Sequence, residues 1–315
     1  MKIYGPVPSW RLGNSLGADL VEAPKGYEKT CSYNCVYCHL GRKNYARSKP
    51  EYMDIPQKDF NTLKKRIQET NPDYITFSGQ GEPTLNLNLG RAAETIKKIT
   101  NTPLAVLTNA SLTTNKKVRD NLNKCDIVIA KIDAPTQQLF EQINNPHKGI
   151  MLRDVINSIK LLKTKVCIQT LLFSCRNLTN ADNKTIDSLI EIYKEINTQK
   201  PIEILLGTAT RPSGDDSLHP IDQTRLQHIK NHIKTKTGIK VTCFKEHKHK
   251  QIKRNISEKQ LETEIIDLLK RRPCTRHEIG TRFKDTGAEQ TLDNLLKKSI
   301  LKQKTLDKKT YYVVS

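Results

Sequence analysis

The chain has 315 residues, of which 36% are hydrophobic and 27% are charged, and its net charge is +20. This composition excludes an intrinsically disordered chain, and the length predicts about two domains. The amino terminus lacks the apolar stretch of a signal peptide and no run approaches the roughly 18 to 20 apolar residues of a membrane span, so we expect a cytoplasmic protein without membrane contact.

Three cysteines fall within one short segment, Cys31, Cys35 and Cys38, with the spacing C-x3-C-x2-C. Soft thiolates favour zinc, copper or iron-sulfur clusters over hard cations. A 4Fe-4S cluster normally takes four cysteines, so three leave one iron open to a small molecule. The alternative is a structural Cys3His zinc site with His39 as the fourth ligand. The remaining cysteines are scattered singly and are predicted to be reduced and buried: Cys125, Cys167, Cys175, Cys243 and Cys274.

The cysteine segment, with Tyr37 directly before the last cysteine, resembles the signature of the radical S-adenosylmethionine (SAM) superfamily. The resemblance extends to GPVPS at 5–9, LGNSLG at 12–17, HLGR at 39–42 and FSGQGEPTL at 77–85. These segments are similar to an iron-sulfur oxidoreductase branch related to the wyosine-forming tRNA enzymes. The resemblance implies an enzyme that holds a 4Fe-4S cluster on the three cysteines and cleaves SAM reductively to a 5′-deoxyadenosyl radical. It also implies an electron donor such as a flavodoxin or a ferredoxin.

From residue 56 onward, short apolar strands alternate with amphipathic helices, which is the pattern of repeated βα units. Strands are predicted at 74–77, 104–108, 127–131, 166–173 and 202–206, and helices at 57–70, 89–99, 115–122, 152–163, 185–196 and 223–236. A further strand before the cysteine loop gives about six units. Because six units are too few to close an eightfold barrel, the predicted fold class is α/β, a partial (β/α)6 TIM-like barrel over residues 1–244, as the resemblance also implies.

Ligand sites on such sheets lie at the carboxyl ends of the strands. Gly79, Gln80, Gly81 and Glu82 follow the first clear strand, and glycines let the backbone approach a ligand closely. The resemblance implies that this segment, including the Glu82 carboxylate, binds the methionyl ammonium of SAM. The alternative is an ordinary βα turn.

Further polar residues near strand ends are candidates for the same site. The resemblance places Tyr37 near the adenine of SAM. Asn109, Asp133 and Gln169 are candidates for holding the methionine carboxylate, the ribose hydroxyls or the substrate, with helix capping or loop hydrogen bonding as the alternative. Arg211 is a candidate for pairing with a phosphate or carboxylate, or is a surface arginine.

The chain changes character after Cys243. Residues 245–256 contain several cations and few apolar side chains, which predicts a basic linker, and His247 and His249 in it lack partners at metal-ligand spacing. Residues 257–315 then predict three helices and a hairpin, at 258–271, 275–283, 289–299, 301–306 and 310–314, an order that resembles a winged helix-turn-helix domain. The third helix of such a domain usually enters the major groove, and here it offers Gln290, Thr291, Asn294, Lys297 and Lys298.

The positive charge favours a polyanionic partner, although a lysine-rich composition also arises from genome base bias. The segment from residue 245 onward contributes +8 and the remainder +12, so basicity is not confined to the carboxyl-terminal part. We therefore predict a radical SAM enzyme that modifies a nucleoside of tRNA or another RNA. The alternatives are a radical enzyme acting on a peptide or protein, for example a glycyl-radical activase, and an iron-sulfur or zinc DNA-binding regulator.

Overall fold

The computed structural model describes residues 1–244, 257–283 and 286–315. The predicted basic linker, with His247 and His249, lies outside these residues. Within them the strands are β1 (Lys2–Ser9), β2 (Gly13–Asp19), β3 (Lys29–Cys31), β4 (Asn44–Ala46), β5 (Tyr74–Phe77), β6 (Leu104–Thr108), β7 (Ile127–Lys131), β8 (Lys165–Cys175), β9 (Leu178–Thr179), β10 (Ile202–Thr208), β11 (Leu218–Pro220), β12 (Val241–Cys243), β13 (Leu301–Leu306) and β14 (Lys309–Val314).

The helices in the same ranges alternate with these strands over most of the chain. A single 3-10 turn at Pro83–Leu85 follows β5. The α-helices are α1 (Gln57–Thr70), α2 (Leu89–Ile99), α3 (Lys116–Leu122), α4 (Gln137–Asn144), α5 (Leu152–Ile159), α6 (Asn183–Gln199), α7 (Gln223–Thr237), α8 (Glu258–Leu269), α9 (Arg276–Arg282) and α10 (Ala288–Lys297).

A curved sheet forms the main body, with the strand order β1-β2-β5-β6-β7-β8-β10-β12. All neighbours from β2 to β12 are parallel, and β1 pairs antiparallel with β2 at the edge. The predicted partial TIM-like barrel is confirmed, with a short extra strand, β12, after the sixth unit. Strand β1 was not predicted, because its glycine and prolines at positions 5, 6 and 8 are typical of a loop. An edge strand tolerates proline because one side of it makes no ladder hydrogen bonds.

Side-chain caps explain where several helices begin. Thr136, Asp182 and Asp222 each accept a hydrogen bond from a backbone N–H in the first turn of α4, α6 and α7. At the other end, α1 and α7 stop at Asn71 and Gly238, both in the left-handed conformation that favours these residue types. Helix α4 was missed because it has only eight residues, and α5 ends four residues before the predicted boundary.

Residues 257–283 and 286–315, here called the C-terminal module, contain α8, α9, α10 and the β13–β14 hairpin. Three helices and a hairpin thus occur in the predicted order, while the assignment to the winged-helix class and the domain boundaries stay predictions. The core of the module is shared with the barrel, because Tyr4 of β1 belongs to the same buried cluster as Leu261, Ile265 and Leu292.

The module contacts the barrel at β1 and at the loop after β10, near the two edges of the curved sheet. At the first edge, Arg66 of α1 forms an ion pair with Glu264 at 2.6 Å. At the second, the Tyr311 hydroxyl donates to the carbonyl of Thr210 at 2.9 Å, and Arg211 forms a bidentate pair with Glu278. The module therefore covers the open side of the partial barrel.

Candidate active site

The cysteine loop begins at the end of β3 and is held in place by the end of α4. The backbone N–H of Asn34 donates to the carbonyl of Asn144 at 3.0 Å, and that of Val36 donates to Ile143 at 2.9 Å. Within the loop the N–H of Cys38 donates to the carbonyl of Cys35 at 3.1 Å, which closes a tight turn. The loop is therefore a fixed part of the fold.

Side-chain amides are directed at two of the three cysteine sulfurs. Asn109 Nδ2 lies 3.4 Å from Cys31 Sγ, and Asn144 Nδ2 lies 3.4 Å from Cys35 Sγ. All three cysteines are free and partly buried. Burial, with the neighbouring Glu82 carboxylate, raises the pKa of Cys31, and burial with the neighbouring Cys38 raises the pKa of Cys35 to about 11. Ligation therefore has to displace protons from these thiols, and the amide N–H groups then stabilise the thiolates.

The zinc alternative required His39 to join the three cysteines. Its Nε2 instead contacts the carbonyl oxygen of Arg271 at 3.1 Å. Over residues 1–244, 257–283 and 286–315, no group of three or more His, Cys, Asp or Glu side chains is arranged to hold a single metal ion. A cluster makes a different demand, because each thiolate binds a different iron.

The glycine segment after β5 packs directly against the strand that leads into Cys31. Thr30 N–H donates to the carbonyl of Gln80 at 2.9 Å, and Glu82 N–H donates to the carbonyl of Thr30 at 3.0 Å. A Cβ at Gly81 would lie 2.0 Å from the Thr30 carbonyl oxygen, and one at Gly79 would lie 1.9 Å from the Asp19 carboxyl carbon. The protein's own packing therefore requires glycine at both positions, a reason that differs from the predicted approach to a ligand.

The Glu82 carboxylate accepts several hydrogen bonds from the protein itself, and its predicted contact with the methionyl ammonium of SAM stays a prediction. The side chain is only 2% exposed, and its Oε1 accepts hydrogen bonds from Thr84 N, Thr84 Oγ1 and Thr108 Oγ1 at 3.1, 2.6 and 2.6 Å. Its Oε2 accepts from Asn109 N at 2.7 Å. The carboxylate therefore links the ends of β5 and β6, and Glu82 also lines the cavity described below.

Asp133 makes the loop hydrogen bonds that were the alternative to ligand binding, and its contact with a ligand stays a prediction. Its fully buried carboxylate accepts from the Tyr37 hydroxyl at 2.5 Å, from Asn144 Nδ2 at 3.1 Å and from Leu171 N at 2.8 Å. Lys131 Nζ lies 3.1 Å from the same group. Tyr37 is thereby held through its hydroxyl, while its ring lies on the wall of the cavity described next.

A cavity of about 1700 Å³ lies between the barrel and the C-terminal module. Of the predicted site residues it is lined by Cys31, Tyr37, Cys38, Gly79, Gly81, Glu82, Asn109 and Gln169, but not by Cys35, Gln80 or Asp133. Gln169 accepts a hydrogen bond from Arg11 Nη1, and Asn109 is already engaged with Cys31 and Ser32. Arg211, predicted to bind an anion or lie on the surface, is paired with Glu278 and lines the cavity as well.

Three residues of this region were not predicted. Asp19, at the end of β2, accepts hydrogen bonds from Arg271 Nε at 2.8 Å and from Gln80 N at 3.0 Å. Arg11 enters the cavity from the β1–β2 turn. An acidic residue at a strand end was a usable signal for Asp19, whereas nothing in the local sequence distinguishes Arg11 or Arg271 from surface arginines.

A family model for the radical SAM superfamily matches residues 29–196, more than half of the chain. The chain belongs to the radical SAM superfamily. This radical SAM protein is 34% identical over 265 residues to a UPF0026 protein from Synechocystis, an alignment that covers 76% of the chain and 95% of that relative. It is therefore also a member of the UPF0026 family.

Two further similarities concern longer proteins. A protein named GTPase Obg from Brachyspira hyodysenteriae is 32% identical over 304 residues, which cover 95% of this chain but 42% of that protein. A radical SAM methyltransferase from Sphaerobacter thermophilus has the same fold, with a TM-score of 0.51 at 13% identity, over 73% of this chain and 65% of that one. The chain thus spans less than two thirds of each.

Superfamily membership makes this protein an iron-sulfur enzyme that uses a 4Fe-4S cluster and SAM. The residues present fit that cofactor pair, because three free cysteines share one fixed loop, amide donors face two of the sulfurs, and two of the cysteines border a cavity. Among the helices the structure describes, none has the length and apolar character to cross a membrane.

Proposed function

We propose that Cys31, Cys35 and Cys38 are the cluster ligands and that the adjoining cavity is the reaction chamber. The observation that carries this proposal is the pair of contacts from Asn109 and Asn144 to the cysteine sulfurs, since an amide N–H directed at sulfur suits a thiolate. The cluster and SAM, when bound, supply one-electron cleavage of SAM and a 5′-deoxyadenosyl radical that abstracts hydrogen from the substrate.

The surrounding residues would fix the geometry of that chemistry. The backbone of Gly79, Gln80 and Gly81 lies beside the cysteine loop and is proposed to contact the methionyl part of SAM. The Tyr37 ring, held through Asp133, is proposed to face the adenine. The C-terminal module covers the open side of the barrel, so it would limit the access of water to the radical.

We infer that the substrate is a nucleoside of tRNA or another RNA. Supporting this, the net charge is +20, and the cavity lining includes Arg11, Lys29 and Lys131 from the barrel and Arg272 and Lys309 from the module. The proposed kinship with wyosine-forming enzymes points to the same class of substrate. A flavodoxin or ferredoxin is the expected electron donor.

If the module is a winged helix, its third helix is the proposed RNA contact. Gln290, Asn294, Lys297 and Lys298 of this region are exposed, as that role requires. Thr291 is not available, because it is buried and its hydroxyl donates to the carbonyl of Gly287 at 3.2 Å. Binding through the lysines would weaken as salt concentration rises.

Cluster assembly tests the ligand assignment. Anaerobically reconstituted wild-type protein should contain about four iron and four sulfide per chain, as expected for one cluster, and its reduced electron paramagnetic resonance signal should change when SAM is added. Cys31→Ser should lose most of the iron. Cys125→Ser is the matched control, because Cys125 is buried in the core away from the loop. Full iron and an unchanged signal in Cys31→Ser would refute the assignment.

The substrate class requires a separate measurement. Formation of 5′-deoxyadenosine should increase when deacylated tRNA is added to the reduced enzyme, and ribonuclease treatment of the tRNA should abolish the increase. Stimulation by a peptide or protein fraction that survives ribonuclease would refute the RNA assignment while leaving the radical chemistry intact.

A further inference from the structure

Arg11 is a partly buried arginine on the wall of the cavity. Its Nη1 donates to Gln169 Oε1, and its guanidinium carbon lies 5.7 Å from the centre of the Trp10 ring. Among the residues that the structure describes, no carboxylate forms an ion pair with Arg11, and the buried Nε of Arg11 has no hydrogen-bond partner. Burial, with the like charge of Arg272, lowers the pKa of Arg11 to about 10.

Arg272 supplies a second incompletely paired guanidinium from the C-terminal module. Its Nη1 donates to the carbonyl of Pro8 at 2.9 Å and its Nη2 lies 3.4 Å from Glu278, while its buried Nε has no hydrogen-bond partner among the described residues. Glu278 is also the bidentate partner of Arg211. Among the described residues, Arg211 and Arg272 therefore share the Glu278 carboxylate, and Arg11 pairs with no carboxylate.

A partly buried excess of positive charge is unfavourable unless an anion balances it. Guanidinium groups bind phosphate in a bidentate manner, and a phosphate between two arginines would satisfy donors that the protein leaves unpaired. We propose that Arg11 and Arg272 form a subsite for a phosphate group of the substrate. The molecule that enters the cavity is then a nucleotide rather than an uncharged nucleoside.

The backbone of Arg11 and the glycine segment lie at different ends of β2. Arg11 precedes β2, whereas Asp19 and the glycine segment lie at the carboxyl ends of β2 and β5. Six residue steps from Gly13 to Asp19 correspond to roughly 20 Å of strand. The Arg11 side chain reaches Gln169 of β8, and Arg272 directly follows Arg271, which contacts Asp19. A ligand held by Arg11 and Arg272 therefore lies on the module side of the cavity, between the start of β2 and Asp19.

The subsite proposal rests on the proposed function in one respect, since it takes the cavity to be the substrate site. Its test therefore measures binding and not turnover. The single tryptophan of the chain is Trp10, next to Arg11, and its fluorescence reports on this end of the cavity. We would titrate the full-length reconstituted protein at constant ionic strength with inorganic phosphate, adenosine monophosphate and adenosine. Calorimetry of the same titrations provides a second readout.

Phosphate and the monophosphate are expected to change the fluorescence saturably, and adenosine to bind at least tenfold more weakly than its monophosphate. Arg11→Gln and Arg272→Gln should each weaken the binding of phosphate at least tenfold, and Arg11→Lys should restore part of it. Arg176→Gln is the matched control, because Arg176 is 75% exposed and does not line the cavity. Circular dichroism and iron content check that each variant is folded and loaded.

The subsite is refuted if phosphate gives no saturable signal, if adenosine binds as tightly as its monophosphate, or if Arg176→Gln weakens phosphate binding as much as Arg11→Gln does. The two proposals can fail separately. Saturable phosphate binding that requires Arg11 and Arg272, combined with no stimulation by tRNA, would support the subsite and assign it to a small phosphorylated substrate. Stimulation by tRNA with phosphate binding unchanged in both variants would refute the subsite alone.

Discussion

Breaking the buried ion pair between Arg271 and Asp19 by replacing one partner should strongly destabilise the protein. Both side chains are 2% exposed, and Arg271 Nε donates to Asp19 Oδ2 at 2.8 Å. Arg271→Met removes the cation and leaves the carboxylate with backbone donors from Gln80 and Val21. An uncompensated buried charge of this kind costs about 3 to 5 kcal/mol.

The loss of unfolding free energy should depend on pH. The effects of replacing the two partners should also not be additive. Burial already raises the pKa of Asp19 against the effect of Arg271, and removing Arg271 raises it further. The folded variant therefore takes up a proton more readily than the unfolded chain, so its deficit should be smaller at pH 5 than at pH 8. The double variant Asp19→Asn/Arg271→Met should lose less unfolding free energy than the two single variants lose in sum, by about 2 kcal/mol or more.

Anaerobic urea denaturation, followed by circular dichroism, measures this cycle. Lys116→Met is the control, because Lys116 and Asp120 form an exposed pair at 2.7 Å whose loss should not be detectable. Since Asp19 also accepts from Gln80 N, the affinity for SAM should fall in Arg271→Met and be unchanged in the control. A deficit below about 1 kcal/mol for either single variant, or strict additivity, would refute the reasoning.

Two further predictions concern the module and the glycine segment. Burial alone would raise the pKa of Glu278, but the hydrogen bonds and the charge of Arg211 lower this pKa to about 2. The ionised carboxylate therefore stabilises the folded protein above the unfolded pKa near 4.5, and this stabilisation is lost as the pH falls toward 2. Glu278→Gln should therefore shift the urea midpoint down at pH 7 and much less at pH 3; an equal shift at both contradicts this. Gly81→Ala places Cβ 2.0 Å from the Thr30 carbonyl oxygen, so SAM affinity, measured by equilibrium dialysis, should fall at least tenfold. Gly207→Ala, whose Cβ would meet only a Trp10 ring atom at 3.4 Å, is the control, and comparable losses in both would contradict the packing argument.

The regular part of the fold was predictable because local signals agree there. Strands β5, β6 and β7 are short apolar runs, and their predicted limits match the structure. Helices α1 and α2 match as well, since an amphipathic pattern continues to a clear stop. Strand β1 was missed because its pairing with β2 overrides the loop propensity of glycine and proline.

For the candidate site, the sequence predicted where the polar side chains lie but not which groups they contact. Glu82 and Asp133 do lie close to strand ends, as predicted, but their hydrogen-bond donors come from distant segments such as Thr108 and Leu171. No local pattern shows that such a carboxylate is already satisfied. The pair of Asp19 and Arg271 is separated by 252 positions, so only the folded chain brings it together.

The shared core at Tyr4 has a consequence for how the protein is made. The Tyr4 ring packs over Gly17, where a Cβ would lie 2.2 Å from it, and completes a cluster whose other buried members all belong to the module. During synthesis, β1 leaves the ribosome about 250 residues before α8 does. At ordinary elongation rates of roughly 5 to 20 residues per second, β1 therefore lacks its contacts with the module for many seconds. We expect nascent chains that do not yet contain the module to need a holding chaperone, and the module to cover β1 once it has been translated.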